Sequence, residues 1–235
     1  MGTISKNKYK TLGIIGGMGP QATADLFYKI IKLTPANKDQ EHIRIIIDNF
    51  PQIPDRTDFI LNQGQDPKPY LLQSANLLKK AGAEILLMPC NTAHYFLPYL
   101  QKETQLPFIS IIDSAISQLG IQAPKAKKIA VLSTKGTKAI KIYENALIKQ
   151  NYTVVDLGQE IEMDIMSAIY DGVKKGKTKD LIHKFQKTID HINNEVSPDA
   201  MLAACTEIPI LMEFCISKTP IIDATLSLAQ AAVDK

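Results

Sequence analysis

Two of the three cysteines in the chain, Cys90 and Cys205, stand in matching surroundings. Each closes a short apolar run, residues 85–88 and 200–204, that reads as a strand buried on both faces, and each precedes a helical pattern. Small polar residues follow them, Asn91 and Thr92 in one case and Thr206 in the other, whose amide and hydroxyl groups suit a carboxylate. Parallel α/β sheets bind ligands outside the carboxyl ends of their strands, and the free N–H groups that open a helix favour a thiolate. If two such thiols face each other across a cleft, they suit one chemistry: inversion of a carbon stereocentre by proton transfer. A thiolate on one face removes the proton, a thiol on the other delivers one, and the reverse reaction exchanges the roles. Taken singly, a buried apolar cysteine is the common case; the paired context favours chemistry. Cys215 has no such context. It falls in residues 210–216, which read as a helix, and is expected in the core.

Other residues invite chemistry less strongly. Gly17-Met18-Gly19-Pro20-Gln21-Ala22 fits the dinucleotide pattern G-x-G-x-x-A between a strand and a helix, and Asp48 ends the next strand, so a nicotinamide-dependent oxidoreductase is the rival reading. Pro20 argues against it, because it removes a backbone N–H where a pyrophosphate needs donors. His94 lies four residues after Cys90 and can share a helix face with it. A metal centre needs further ligands at zinc-like spacing, and none is present, so no metal is expected. His94 is instead expected to tune Cys90 or complete a local hydrogen bond, with Glu207 in a matching role beside Cys205. Arg56 follows a proline-rich loop, residues 51–54, after a strand end, and can grip a carboxylate bidentately. Lys174 belongs to the run Lys174, Lys175, Lys177, Lys179, which by itself reads as a charged loop.

These residues need elements to hold them. The chain has 235 residues, 45% hydrophobic and 22% charged, which excludes a disordered or collagen-like chain. No apolar run approaches the ~18 residues of a membrane span, and the start, Met1 to Lys6, lacks the apolar core of a signal peptide. The net charge of +3 is too small and too dispersed to argue for nucleic acid. Three widely spaced cysteines suggest no disulfide framework, and a reducing cytoplasm is expected. Strand-like runs at 12–15, 43–48, 85–88, 108–112, 129–133, 152–155, 200–204 and 221–222 alternate with helical patterns such as 69–80 and 138–150. That alternation predicts an α/β fold with mainly parallel sheets flanked by helices. The halves also repeat each other. A strand-glycine turn-helix, a strand ending at Cys, and a Pro-strand-Asp unit recur in the same order at nearly constant spacing. Two similar lobes are expected, residues 1–117 and 118–223, with a last helix, about 224–235, packing back on the first and the site in the cleft between them.

Four segments carry a resemblance: Gly13-Ile14-Ile15-Gly16-Gly17-Met18-Gly19-Pro20 with Ala22-Thr23; Pro51-Gln52-Ile53-Pro54-Asp55-Arg56-Thr57; Pro89-Cys90-Asn91-Thr92-Ala93-His94; and Ala204-Cys205-Thr206-Glu207. With them the chain resembles the aspartate/glutamate racemase superfamily, and most its cofactor-independent aspartate racemase branch, from about residue 11 to the end. The glycine motif and Glu207, where glutamate racemases usually carry His, favour that branch. The resemblance implies racemisation of aspartate, with glutamate as a further substrate, without pyridoxal phosphate or metal, in a homodimer. Cys90 and Cys205 would be the two acid/bases. Asn91, Thr92 and Thr206 would hold the α-carboxylate and amino group, Met18 and Gln52 would line the pocket, and Arg56 and Lys174 would take the side-chain carboxylate, with Thr134 as a further contact. Ala203-Ala204 stand before Cys205 where glycine is frequent, which would tighten the pocket. Related outcomes are hydantoin racemisation, maleate isomerisation, or binding of an acidic metabolite without turnover; the presence of both cysteines speaks against the last.

Overall fold

The computed structural model describes residues 9–235; the segment read as lacking a signal peptide lies outside the described residues. Seven strands form two sheets: β1 (Leu12–Gly16), β2 (Ile45–Asn49), β3 (Ile85–Leu87), β4 (Lys128–Leu132), β5 (Thr153–Val154), β6 (Ala200–Ala203) and β7 (Ile221–Asp223). The helices are α1 (Pro20–Leu33), α2 (Arg56–Ile60), α3 (Lys68–Lys80), α4 (Leu97–Thr104), α5 (Ile111–Gln122), α6 (Lys135–Ala139), α7 (Ile142–Lys149), α8 (Gly158–Ser167), α9 (Thr178–His191), α10 (Ile208–Met212) and α11 (Ala224–Val233). The sheet orders are β2-β1-β3 and β5-β4-β6-β7, and every pairing is parallel. This is the expected α/β fold. Strands β1, β3 and β6 are buried along their whole length, as their unbroken apolar sequences require, whereas β2 lies at an edge and is only partly covered.

The two sheets follow one plan. In each, the first strand of the half is central, the second lies at its edge and the third on its other side. The counterpart of β7 in the first sheet is a single parallel bridge between Leu86 and Phe108. The strand expected at 108–112 shrinks to that bridge because the Ser110 hydroxyl accepts the Asp113 N–H and starts α5 at Ile111. The helix expected at 138–150 is also divided. Lys141, at φ +51°, separates α6 from α7. Cys215, expected in a core helix, lies beyond the end of α10 and is half-buried against the apolar cluster that α8 and α9 form with β6.

One apolar core joins the sheets. Ile14 and Leu87 of the first and Ile129 and Leu202 of the second belong to the same buried cluster, together with Leu119 of α5 and Leu228 of α11. Helix α11 packs against α1 and α5. Its N-terminus is capped by Asp223, which accepts the N–H groups of Thr225 and Leu226, and Lys29 of α1 bridges Asp25 and the same Asp223. On the site side, α2 and α6 approach so closely that a Cβ on Gly136 would lie 2.7 Å from the Thr57 hydroxyl. Among the described residues no helix is long and apolar enough to cross a membrane.

Candidate active site

The carboxyl ends of the strands meet around one cavity. Met18 follows β1, Cys90 follows β3, Thr134 follows β4 and Cys205 follows β6. The loop after β2 adds Asp55, the N-cap of α2, and the first turn of α2 adds Arg56 and Thr57; the irregular helical turns after α8, Ala168–Gly172 and Val173–Lys175, add Tyr170 and Lys174. The enclosed volume is about 10 Å³, room for a single water. A larger pocket of about 510 Å³ adjoins it and shares Met18, Asp55, Arg56, Lys174 and Glu207 with it. The site is therefore closed, with its vestibule outside.

Ten of the expected residues line this cavity: Met18, Arg56, Cys90, Asn91, Thr92, Thr134, Lys174, Cys205, Thr206 and Glu207. Gln52 does not; its side chain is exposed, and Ile53 is the buried residue of that turn. The loop's inward face is thus one position later than expected. His94 lies behind Cys90 rather than in the cavity wall.

The two cysteines are each 6% exposed, but their neighbours differ. The Cys205 thiol donates to Glu207 Oε2 at 3.0 Å, and the Thr206 hydroxyl donates to the same oxygen at 3.2 Å. Burial, and then the Glu207 charge, push the Cys205 thiol well above its ordinary range. The thiolate-favouring helix start expected here is absent: Cys205 precedes α10, a helix of only five residues whose N-cap is Glu207 itself. Cys90 precedes a 3₁₀ turn, Thr92–Phe96, and its charged neighbour is the guanidinium of Arg56. Burial opposes the Arg56 charge, but Cys90 and Asp55 beside it more than offset this and hold it protonated.

Arg56 is 6% exposed and tightly held. Nη1 donates to the carbonyls of Ile53 (3.2 Å) and Pro54 (3.0 Å), and Nη2 donates to the carbonyl of Met18 (3.2 Å). Lys174 pairs with Asp55 at 3.6 Å and lies 4.0 Å from the centre of the Tyr170 ring, while the Tyr170 hydroxyl donates to Asp55 at 3.1 Å. Asn91 is oriented by Tyr143, whose hydroxyl donates to Oδ1 at 2.5 Å; burial pushes that hydroxyl far above its ordinary range, so it stays a donor. Thr92, Thr134 and Thr137 form a closed hydroxyl triangle with edges of 2.8–3.2 Å.

His94 resolves its two expected roles in favour of the local bond. Ile111 N–H donates to Nε2 at 3.0 Å, so Nδ1 carries the proton and donates to the Cys90 carbonyl at 2.9 Å. The ring ties the Cys90 backbone to the start of α5. Burial holds its pKa down to about 4. A histidine kept neutral in the fold but free to protonate when unfolded stabilises the protein above about pH 6.5, and that contribution is lost as pH falls from there to about 4. The shift corresponds to about 3 kcal/mol. His94→Asn is expected to lower stability at pH 7 and to flatten the fall in melting temperature between pH 6.5 and 4, measured by thermal denaturation. An unchanged acid slope would show that His94 does not carry it.

The site also draws on Asp55, Thr57, Tyr143 and Tyr170, to which the sequence motifs give no role. Asp55 and Thr57 flank Arg56 in a segment already singled out, which was the available signal; Tyr143 and Tyr170 had none.

Residues 15–232 match the family described as Asp/Glu/Hydantoin racemase. The chain is 28% identical over 231 residues to the broad specificity amino-acid racemase RacX of Bacillus subtilis (strain 168), covering 94% of this chain and 96% of that one. Among solved structures it is similar to the Picrophilus torridus aspartate racemase, with a TM-score of 0.79 and 32% identity over 96% of this chain and 93% of that one. An aspartate racemase homologue from Pyrococcus horikoshii OT3 shares the fold, with a TM-score of 0.73 and 22% identity over 96% of this chain and 98% of that one.

Proposed function

The chain belongs to the Asp/Glu/hydantoin racemase family, and on that premise we propose that it interconverts L- and D-aspartate by two-base proton transfer between Cys90 and Cys205, without pyridoxal phosphate or metal. Its standing as an amino-acid racemase of the Asp/Glu type follows from the family and the similar proteins. One observation carries the finer reading. The two cysteines, from matching positions in two sheets, line a single buried cavity that also holds the cations Arg56 and Lys174. One thiolate takes the α-proton, and the opposite thiol delivers a proton to the other face of the carbanion. The unpaired Asn91 Nδ2 in the cavity wall donates to the α-carboxylate and stabilises the charge that develops. With about 10 Å³ inside, the lobes open for substrate to pass from the vestibule, and closure then excludes water.

The nicotinamide reading loses its support. The glycine turn is tied internally, with Gly17 N–H donating to Thr23 Oγ1 at 2.9 Å. At Gly17, φ is +91° and a Cβ would lie 2.3 Å from the Phe50 carbonyl carbon, so the glycine serves close backbone packing. A broader amino-acid range is the second reading. It is favoured by the acids Asp55 and Glu207, which share the cavity wall with the two cations, and by the broad specificity relative. A cytoplasmic homodimer with lobe boundaries near residues 117 and 223 completes the proposal; sedimentation tests the dimer and limited proteolysis the boundaries.

The deciding experiment incubates the reduced protein with L-aspartate in D₂O without added cofactor. Loss of optical rotation together with deuterium at Cα is the expected result. Neither change would overturn the aspartate reading, and a panel of other amino acids would then test the broader one.

A further inference from the structure

Five buried side-chain polar atoms lack a hydrogen-bond partner among the described residues: Arg56 Nε, Ser74 Oγ, Asn91 Nδ2, Glu207 Oε1 and Thr225 Oγ1. Three of them belong to residues that line the one cavity between the cysteines, and they divide into two donors and one acceptor. Buried polar groups are almost always paired, so three unpaired atoms converging on one cavity describe the ligand it is built to receive. The Arg56 and Asn91 donors complement carboxylate oxygens. An amino acid brings one more group, an α-ammonium, which can only donate and requires an acceptor.

The other carboxylate in the wall and the threonine hydroxyls beside it are committed. Asp55 accepts the N–H groups of Thr57 and Asp58 and the Tyr170 hydroxyl, and it pairs with Lys174. The hydroxyls of Thr92, Thr134 and Thr137 bond to one another. Glu207 is 2% exposed; its Oε2 accepts from Cys205 and Thr206, which leaves Oε1 open. This oxygen lies beneath the Met18–Gly19 turn, where a Cβ on Gly19 would sit 3.4 Å from it. Glycine there leaves room beside the oxygen.

We propose that Glu207 Oε1 receives the α-ammonium of the substrate, so that one carboxylate binds the amino group through one oxygen and the Cys205 thiol through the other. The inference rests on the amino-acid racemase reading of this cavity. It makes Glu207 the residue that distinguishes an amino acid from the corresponding simple dicarboxylate. It also places an anion where it keeps the substrate nitrogen protonated, and a protonated nitrogen makes the α-proton more acidic.

The test compares L-aspartate with succinate, which lacks only the amino group. Dissociation constants are measured by calorimetry for the wild type, Glu207→Gln and Gly19→Ala. The expected result is that aspartate binds the wild type at least about tenfold more tightly than succinate. Glu207→Gln should then weaken aspartate about tenfold or more while changing succinate less than about twofold. Gly19→Ala, which leaves the Glu207 side chain in place and narrows the space beside Oε1, should act in the same direction. Retained succinate binding by either variant shows that its site is assembled. Equal weakening of both ligands, no weakening of aspartate, or wild-type binding of succinate as tight as aspartate overturns the assignment. A wild type that binds neither ligand fails at the earlier step, the aspartate reading itself.

Discussion

Cys90→Ser and Cys205→Ser are each expected to lower aspartate racemisation about 10³-fold or more, the scale of a lost general acid–base group. The proteins should fold normally, because serine nearly matches cysteine in shape and each position changes by one atom. A serine hydroxyl cannot take the α-proton near neutral pH, so each variant keeps one competent face. The informative readout is therefore exchange rather than rate alone. In D₂O the remaining thiol can still remove and return the α-proton on its own side, incorporating deuterium with retention of configuration. The two variants should do this with opposite enantiomers. Comparing kcat/KM in the two directions cannot give the same information: the equilibrium constant of a racemisation is one, so the two values are equal whatever the mutation. Residual deuterium entering both enantiomers equally in either variant would sink the two-thiol mechanism. The surroundings of the cysteines add a pH expectation. Burial, and then Glu207, raise the Cys205 thiol, so its thiolate fraction grows as pH rises into alkali. Cys205→Ser should therefore remove from the kcat/KM profile an alkaline limb that Cys90→Ser leaves in place.

The sequence carried the sheets well and the site unevenly, for physical reasons. Strands buried on both faces leave unbroken apolar runs, so β1, β3 and β6 are legible in the chain, and β4 is legible from Ile129 on. The run at 108–112 misled because apolar residues that continue a strand and those that open a buried helix look alike; one hydroxyl, on Ser110, decides between them. The paired cysteine motifs were legible because the fold repeats and brings equivalent loops together. Their electrostatics were not. The Cys205 environment depends on which way the Glu207 carboxylate turns, and a helix of five residues gives little of the charge stabilisation that a full helix start would. Tyr143 and Tyr170 reach the site from positions 52 and 115 residues away from Asn91 and Asp55, their partners, and no local pattern marks such contacts.

Arg56 is the residue whose replacement should damage both fold and activity. Its guanidinium makes three hydrogen bonds to carbonyls from two separate loops, 53–54 and Met18, and lies against Cys90. A lysine ammonium has three donors but not the planar fork, and cannot span those acceptors from one nitrogen. Arg56→Lys therefore keeps the charge and leaves buried carbonyls unpaired, each at a cost of about 1–3 kcal/mol. We expect a stability loss of about 2–4 kcal/mol by urea denaturation, together with a fall of about 10²-fold or more in kcat/KM. Lys174 supplies the contrast. Its side chain is 21% exposed, and it holds Asp55 and the Tyr170 ring rather than any backbone. Lys174→Met should change stability by less than about 1 kcal/mol and act mainly on KM. If Arg56 served only as a counter-charge for the substrate, Arg56→Lys would behave like that second variant, with little loss of stability and most of its turnover retained. A large loss of stability in Arg56→Lys alone separates a guanidinium that builds the site from a cation that merely faces it.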